Sequence, residues 1–179
     1  MSQTSTRGRT VFVTVGTTKF EKLIEAIDTV EVLSELKDSN VTHINCQIGH
    51  GQYEPFMKCG RGPMYEEVIN GLTLSFFRHK PSISLDLEQA DIIIGHAGVG
   101  TIIEAVRANK PVLVVVNADL MDNHQLEVAE AMSNNGFVNM CYPKTLIETL
   151  CSKDVFHLLT YPPRNPRGFA DMLQELCVG

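Results

Sequence analysis

The chain has 179 residues, of which 44% are hydrophobic and 20% charged, a composition typical of one soluble globular domain with a sizeable core. Its net charge is −6, and the 21 acidic and 15 basic residues are spread along the sequence, which excludes a basic nucleic-acid surface or a polybasic membrane patch. Five cysteines form no CxxC pair, a pattern that favours free thiols in a reducing compartment over disulfides or a zinc site. The N-terminus is polar, and no apolar run approaches the roughly 20 residues that are needed to cross a bilayer. These two features predict a cytosolic protein with no direct membrane span.

Five apolar segments predict β-strands, at residues 11–15, 41–49, 72–77, 91–95 and 111–116. These segments are continuous rather than alternating, which indicates burial on both faces, as in a parallel sheet. Helical spacing follows the first strand (Phe20, Leu23, Ile24, Ile27) and recurs at residues 82–90, 101–109 and 123–135. Alternation of strands and helices predicts an α/β fold, a Rossmann-like doubly wound parallel sheet with right-handed crossovers.

Two stretches interrupt this alternation. Residues 49–65 carry four glycines and two prolines, which predicts a loop. Residues 161–179 begin with PPRNP and continue into a short amphipathic helical pattern, which packs either on the sheet of the same chain or on a partner. The sequence therefore predicts a flexible N-terminal tail at 1–9, one domain at 10–160, and a linker with a C-terminal amphipathic helix at 161–179.

The most informative motif is the turn Gly95-His96-Ala97-Gly98-Val99-Gly100-Thr101, between the fourth strand and the next helix. Ligands of open α/β sheets bind beyond the carboxyl ends of the strands, where helix N-termini present unpaired N–H groups. Small residues let the backbone approach an anion such as a diphosphate. The alternative is that these glycines serve only a tight connection between strand and helix.

Familiar phosphate-binding motifs do not fit this turn. No Gly-Lys-Ser/Thr occurs anywhere, which excludes a P-loop. The dinucleotide pattern GxGxxG would start at Gly98, but Ile103 occupies the place of the third glycine. The first strand is followed only by Gly16-Thr17-Thr18. A nicotinamide-dependent dehydrogenase is therefore poorly supported.

Two polar groups flank the turn. Glu104 lies opposite the apolar positions Ile102, Ile103 and Val106, where its carboxylate could accept hydrogen bonds from a ribose diol; alternatively, Thr101-x-x-Glu104 is a capping box. After the fifth strand, Asn123-His124-Gln125 places amide and imidazole groups near the same edge, where they could bind sugar hydroxyls. Here Asp122-x-x-Gln125 could again be a helix cap.

Together these motifs resemble a known family. The segment GHAGVGTIIEAVRANKPVLVVVNADLMDNHQLEVAEAM resembles the donor-binding segment of GT-B glycosyltransferases related to the bacterial lipid II synthase MurG. The opening VFVTVGTTKFEKLI and the string LMDNHQLEVA are more narrowly similar to the catalytic subunits of the eukaryotic UDP-N-acetylglucosamine transferase. The resemblance covers roughly residues 10–140 and implies a fold equivalent to the C-terminal, donor-binding half of a GT-B enzyme.

The resemblance also implies roles for individual residues. The diphosphate would be bound by Gly16, Thr17 and Thr18 and by the turn of His96, Ala97, Gly98, Val99, Gly100 and Thr101, through its backbone N–H groups. Glu104 would bind the uridine ribose. Asn123, His124 and Gln125 would bind the N-acetylglucosamine. Phe77-Arg78-His79 could bracket the uracil. No DxD triplet is present, so we expect no metal and no cofactor, with UDP-GlcNAc as the donor substrate.

A complete GT-B enzyme has two Rossmann-like halves, and this sequence resembles only the donor half. The resemblance implies a partner, a membrane-anchored acceptor-binding subunit of the asparagine-linked glycosylation protein fourteen type, which recruits the chain to the cytosolic face of the endoplasmic reticulum. The implied reaction transfers GlcNAc from UDP-GlcNAc to GlcNAc-diphosphodolichol with inversion, the second step of lipid-linked oligosaccharide assembly for N-glycosylation. The general base is expected from the partner; His96 and His124 are weaker candidates.

Three other functions remain open at this stage. The chain could be the donor subunit of a bacterial split exopolysaccharide glycosyltransferase, which shares the two-chain design but not the dolichol acceptor. It could be a non-catalytic module that binds a UDP-sugar. The third alternative is the dehydrogenase.

Overall fold

A computed structural model describes residues 7–55, 64–69, 71–118 and 123–152. Within these ranges the strands are Arg9–Thr14 (β1), Val41–Gln47 (β2), Met64–Ile69 (β3), Leu72–Phe77 (β4), Ile92–His96 (β5), Val112–Val115 (β6) and Asn139–Cys141 (β7). The helices are Glu21–Ile27 (α1), Val30–Asp38 (α2), Ser84–Gln89 (α3), Val99–Arg107 (α4), Asn123–Asn134 (α5) and Leu146–Leu150 (α6), with a 3-10 turn at Pro143–Thr145. Across these ranges, no helix is long and apolar enough to cross a bilayer.

The strands form one sheet in the order β3-β4-β2-β1-β5-β6-β7. Every neighbouring pair is parallel except β3 and β4, which form an antiparallel hairpin at the edge. From β4 to β7 this is the strand order of a Rossmann sheet, so the predicted fold class is confirmed. The order changes direction between β1 and β5, whose carboxyl ends are in register at Thr14 and Gly95. In such sheets a ligand crevice opens at this point.

Helices cover both faces of the sheet and define two cores. On one face α1, α2 and α6 bury apolar side chains against Val11, Val13 and other strand residues of the same orientation. On the other face α3, α4 and α5 pack around Phe12, Ile93 and Val114. Burial of β1, β5 and β6 on both faces explains why these strands read as continuous apolar runs.

The second face is different at β2 and β4, where the prediction of continuous burial is wrong. In both strands half-buried residues interrupt the buried ones, and His43 in β2 is exposed. Their polar residues share one face: the Ser75 hydroxyl donates to the Asn45 side-chain oxygen at 3.0 Å, and the Asn45 amide donates to Asp86 at 2.9 Å. This polar face lines a cavity of about 480 Å³, which lies along the strands rather than at their carboxyl ends.

Other boundaries differ from the predicted ones. The helix expected after β1 from Phe20, Leu23, Ile24 and Ile27 is present as α1. A second helix, α2, follows it and was not predicted; the Thr29 hydroxyl accepts a hydrogen bond from the Val32 N–H at its start. The predicted loop 49–65 ends in the first two residues of β3, and β3, β7 and α6 were not predicted either. β1 begins at Arg9, inside the predicted tail 1–9. The predicted C-terminal helix within 161–179 lies outside the described residues.

Candidate functional site

The turn after β1 is held by a buried chain of hydrogen bonds. Gly16 adopts a φ of +61°, a conformation that favours glycine. Its N–H donates to the Thr14 hydroxyl at 3.0 Å, and that hydroxyl donates to the Gln47 side-chain oxygen at 2.5 Å. Thr14 and Gln47 are 0% and 5% exposed. Sequence reasoning missed this pair; the available signal was one polar residue near the end of each of two apolar strands.

The same turn is supported from the side of β2. Both the N–H and the hydroxyl of Thr18 donate to the Val15 carbonyl, at 3.2 and 2.7 Å. Gly49, with a φ of +55°, lies so close that a Cβ there would be 2.6 Å from the Thr18 carbonyl oxygen. Thr17 is exposed. The predicted donor-binding turn is therefore rigidly placed at the carboxyl edge, with Thr17 at its surface.

Polar contacts fasten the loop after β2 to α1. The Glu21 carboxylate accepts hydrogen bonds from the N–H groups of Gln52 at 2.5 Å and Tyr53 at 3.3 Å. The bond from Gln52 is the main reason that the pKa of Glu21 lies below its usual value. The Tyr53 hydroxyl donates to Asp28 at 2.6 Å, and burial together with this bond raises the pKa of Tyr53. We call these contacts of Glu21 and Tyr53 the loop clasp.

The segment 77–79, predicted to bracket the uracil, makes contacts within the protein. The Phe77 ring is 3% exposed and stacks on Phe12, so this ring is not available to a ligand. The Arg78 guanidinium donates to the Gly51 carbonyl and to the Glu54 carboxylate, both at 2.5 Å. His79 packs against His50, with ring centroids 4.4 Å apart. Arg78 thus holds the loop after β2, and a ligand contact of Arg78 or His79 stays a prediction.

The glycine turn after β5 leads directly into α4, earlier than predicted. Gly98 is the N-cap residue and the helix begins at Val99, so the predicted capping box of Thr101 and Glu104 is wrong. The Gly98 N–H donates to the His96 carbonyl at 2.7 Å. Since Ile102 is the first residue to donate back to Gly98, the N–H groups of Val99, Gly100 and Thr101 have no acceptor within the helix. These groups form a positive helix end at the crevice.

The described residues leave space around this helix end. A Cβ on Gly100 would have none of them within 4 Å. Glu104 is exposed, as predicted, while Ile102, Ala105 and Val106 form the buried face; Ile103, expected on that face, is only half-buried. The Glu104 carboxylate is therefore exposed and does not cap α4, whose N-cap is Gly98.

His96 ends β5 and its ring lies between the two glycine turns. A Cβ on Gly16 would be 2.7 Å from ring carbon Cε1, and one on Gly98 would be 2.5 Å from Nε2. Nδ1 is buried and makes no hydrogen bond to any residue that the structure describes. Burial lowers the pKa of His96. The nearby Thr14 backbone raises this pKa, but only in part, and Nδ1 makes no hydrogen bond to it. The ring is therefore neutral at neutral pH.

The second predicted polar group lies at the start of α5. This helix begins at Asn123, as expected, after a segment that follows β6 and the buried Asn117. The side chains of Asn123, His124 and Gln125, and residues 119–122 with the possible cap Asp122, lie outside the described part of the chain. The sheet topology puts the start of α5 at the carboxyl edge, next to α4.

An open Rossmann sheet with two glycine turns facing each other at its switch point defines an α/β domain suited to a phosphorylated ligand. Comparison with known proteins gives the particular family. The glycosyltransferase family 28 C-terminal domain matches residues 10–161, and the chain belongs to this family.

Individual relatives agree with this assignment. The chain is 35% identical to the UDP-N-acetylglucosamine transferase subunit ALG13 of Mus musculus over 165 residues, which are 92% of this chain and 13% of the mouse protein. It is 36% identical to human ALG13 over 76% of this chain and 11% of the human protein, so it spans about an eighth of these two relatives. Identity to the Saccharomyces cerevisiae subunit is 28%, over 93% of this chain and 95% of the yeast protein.

Solved structures support the fold. The NMR solution structure of ALG13 superposes with a TM-score of 0.69 at 28% identity, covering 96% of this chain and 98% of that one. The crystal structure of Acinetobacter baumannii MurG gives a TM-score of 0.64 at 20% identity, covering 97% of this chain and 51% of MurG. The resemblance drawn from the sequence motifs is therefore confirmed.

Proposed function

We propose that this chain is the donor-binding subunit of an inverting glycosyltransferase that moves GlcNAc from UDP-GlcNAc to GlcNAc-diphosphodolichol. The observation that carries the proposal is the meeting of two backbone-lined turns at the switch point, Gly16–Thr18 and the start of α4 at Val99. The name of these relatives, UDP-N-acetylglucosamine transferase subunit, supports this choice of donor.

In this proposal the UDP diphosphate lies between the two turns. The N–H groups of Val99, Gly100 and Thr101 and the positive end of α4 hold its oxygens. The exposed Glu104 carboxylate accepts hydrogen bonds from the ribose diol, a role acidic residues have in nucleotide sites. Asn123, His124 and Gln125, at the start of the neighbouring α5, bind the sugar.

The chemical contribution of this half is electrostatic. As the acceptor hydroxyl attacks the anomeric carbon, the bond to UDP breaks and negative charge develops on the departing diphosphate. Fixed N–H dipoles at the α4 end stabilise that charge without reorganising, an effect of about 3–4 kcal/mol per well-placed donor in comparable sites. No step requires a metal, so activity should persist in EDTA.

The general base comes from the partner in this proposal. A base must reach the acceptor hydroxyl and have a pKa near the working pH. Burial lowers the pKa of His96 and encloses its Nδ1, which argues against that role. The chain matches a glycosyltransferase C-terminal domain and about half of MurG, which supports an acceptor-binding half supplied outside the matched region. We propose that a membrane-anchored subunit supplies it and brings the chain to the cytosolic face of the endoplasmic reticulum.

A ligand titration tests the donor site. The unfolding temperature of the purified chain is measured with UDP-GlcNAc, UDP, GDP-mannose and NAD, alone and with the acceptor-binding subunit. Selective stabilisation by the two uridine ligands is expected, of about 2.7 kcal/mol at a ligand concentration 100 times the Kd. Stabilisation by NAD alone would contradict the proposal, as would no response to any ligand even with the partner present.

Turnover separates the enzyme from a binding module. The reconstituted pair is supplied with UDP-GlcNAc and either GlcNAc-diphosphodolichol or a bacterial polyprenol-linked acceptor, and the product is analysed by mass spectrometry. A chitobiosyl lipid formed from the dolichol acceptor is expected. Donor binding without transfer to either acceptor would identify a non-catalytic module.

A further inference from the structure

The position of the His96 side chain explains a feature that phosphate binding does not. The ring lies between Gly16 and Gly98, and either position would bring a Cβ within 2.7 Å of a ring atom. Backbone conformation alone requires glycine at only one of them: Gly16 has a φ of +61°, whereas Gly98 has a φ of −72°, which every L-amino acid adopts. Glycine at position 98 is therefore required by contact with the ring.

We infer that His96 is a positioning residue whose imidazole ring acts as a spacer between the two glycine turns. The ring sets the distance between the turn after β1 and the start of α4, and hence the width of the crevice that receives the donor diphosphate. The effect on donor binding rests on the proposed function; the contact with Gly98 does not.

Three observations support a spacer over a catalytic base. The ring lies so close to both glycines that a Cβ on either one would be within 2.7 Å of a ring atom, which leaves little space for either turn to move inward. Its Nδ1 is enclosed and makes no hydrogen bond to the described residues, and its Nε2 faces Gly98, so both nitrogens point toward the protein's own atoms. The turn on the β1 side is itself fixed by Thr14 and Gln47, so the ring bears against a rigid support.

A double-mutant cycle tests the contact without any ligand. The unfolding temperature of the full chain is measured for Gly98→Ala, His96→Ala and the double variant. Alone, Gly98→Ala should lower it by about 3–8 °C because the new Cβ overlaps the ring. With His96→Ala present, the same change should cost no more than about 2 °C. The preference of an N-cap for glycine over alanine acts in both backgrounds and cancels.

Two matched substitutions serve as controls. Gly100→Ala adds the same methyl group at a position with no described residue, and thus no His96 ring, within 4 Å, so it should have equal effects in both backgrounds. Gly16→Ala should stay destabilising even with His96→Ala, because its φ of +61° is unfavourable for alanine whatever the space. An equal cost of Gly98→Ala in both backgrounds would overturn the inference. Should His96→Ala fail to fold, His96→Asn, which shortens the planar group, replaces it in the cycle.

Kinetics of the reconstituted pair test the consequence for the donor. His96→Ala should raise the KM for UDP-GlcNAc about tenfold and leave kcat within about threefold, with partial recovery in His96→Asn. A fall in kcat of about 100-fold or more at unchanged KM would identify a base and overturn the spacer role. If the wild-type chain binds no uridine ligand but the cycle shows coupling, the proposed function fails and the spacer stands.

Discussion

Gly100→Ala separates a phosphate-binding helix end from a merely structural one. Gly100 lies in the first turn of α4, and a Cβ there would meet no atom of the described part of the chain within 4 Å. Alanine in a helix is favoured over glycine by about 0.5–1 kcal/mol. The unfolding temperature should therefore rise by about 1–4 °C.

Donor binding should change in the opposite direction. In the proposed site, the added methyl group would occupy space that the diphosphate needs in order to reach the N–H groups of the first turn. Loss of one charge-assisted hydrogen bond costs about 1.5–3 kcal/mol, which corresponds to roughly 10- to 100-fold weaker binding. Isothermal calorimetry with UDP, and the KM for UDP-GlcNAc in the reconstituted pair, measure this change.

A matched control is available in α5. Asn134→Ala also raises helix propensity, at an exposed residue in the last turn, far from the carboxyl edge of the sheet. It should stabilise the chain and leave donor affinity unchanged. If Gly100→Ala stabilises the chain and binds donor as tightly as wild type, the start of α4 does not hold the diphosphate and the reasoning fails.

Three further predictions concern the surroundings of the site. Glu104→Ala should raise the KM for UDP-GlcNAc about tenfold or more while the free energy of unfolding stays within about 0.5 kcal/mol, and full activity would remove the ribose role. Thr14→Val leaves the Gly16 N–H without its acceptor and should lower the unfolding temperature by about 4–8 °C, a loss of about 2 kcal/mol; an unchanged value would mean that this chain of hydrogen bonds does not hold the turn. The pKa of Glu21 is lower in the folded state than its unfolded value of 4.5, so the ionised carboxylate stabilises the fold above that pH and this stabilisation is lost as the pH falls below it. Glu21→Gln should therefore make the free energy of unfolding depend less steeply on pH in the acid range. The same acid dependence in the variant and the wild type would refute this role of Glu21.

Local patterns predicted the central part of the fold. β1, β5 and β6 are apolar because both of their faces are buried, so their sequences alone identify them. Elements at the margins carry weaker patterns. β3 contains the charged pair Glu66-Glu67, and β7 has only three residues, too few for a periodic pattern.

Features that depend on distant contacts could not be predicted. The hydrogen bond between Thr14 and Gln47 joins residues 33 positions apart, and no local pattern pairs them. The capping rule placed the start of α4 at Thr101, whereas the helix starts two residues earlier, with Gly98 as its N-cap beside the His96 ring. The motif thus indicated where the site lies, but its geometry depends on residues brought together by the sheet.

The loop clasp has a thermodynamic consequence for ligand recognition. Glu21 and Tyr53 hold residues 48–55, the described part of the loop after β2, and these residues in turn support the Gly16–Thr18 turn through Gly49 before any ligand arrives. These residues therefore lose their conformational entropy when the chain folds, and not when a ligand binds. A ligand captured there meets a preorganised surface, so the heat-capacity change on binding should reflect only the apolar area that the ligand itself covers, without a component from coupled ordering of these segments.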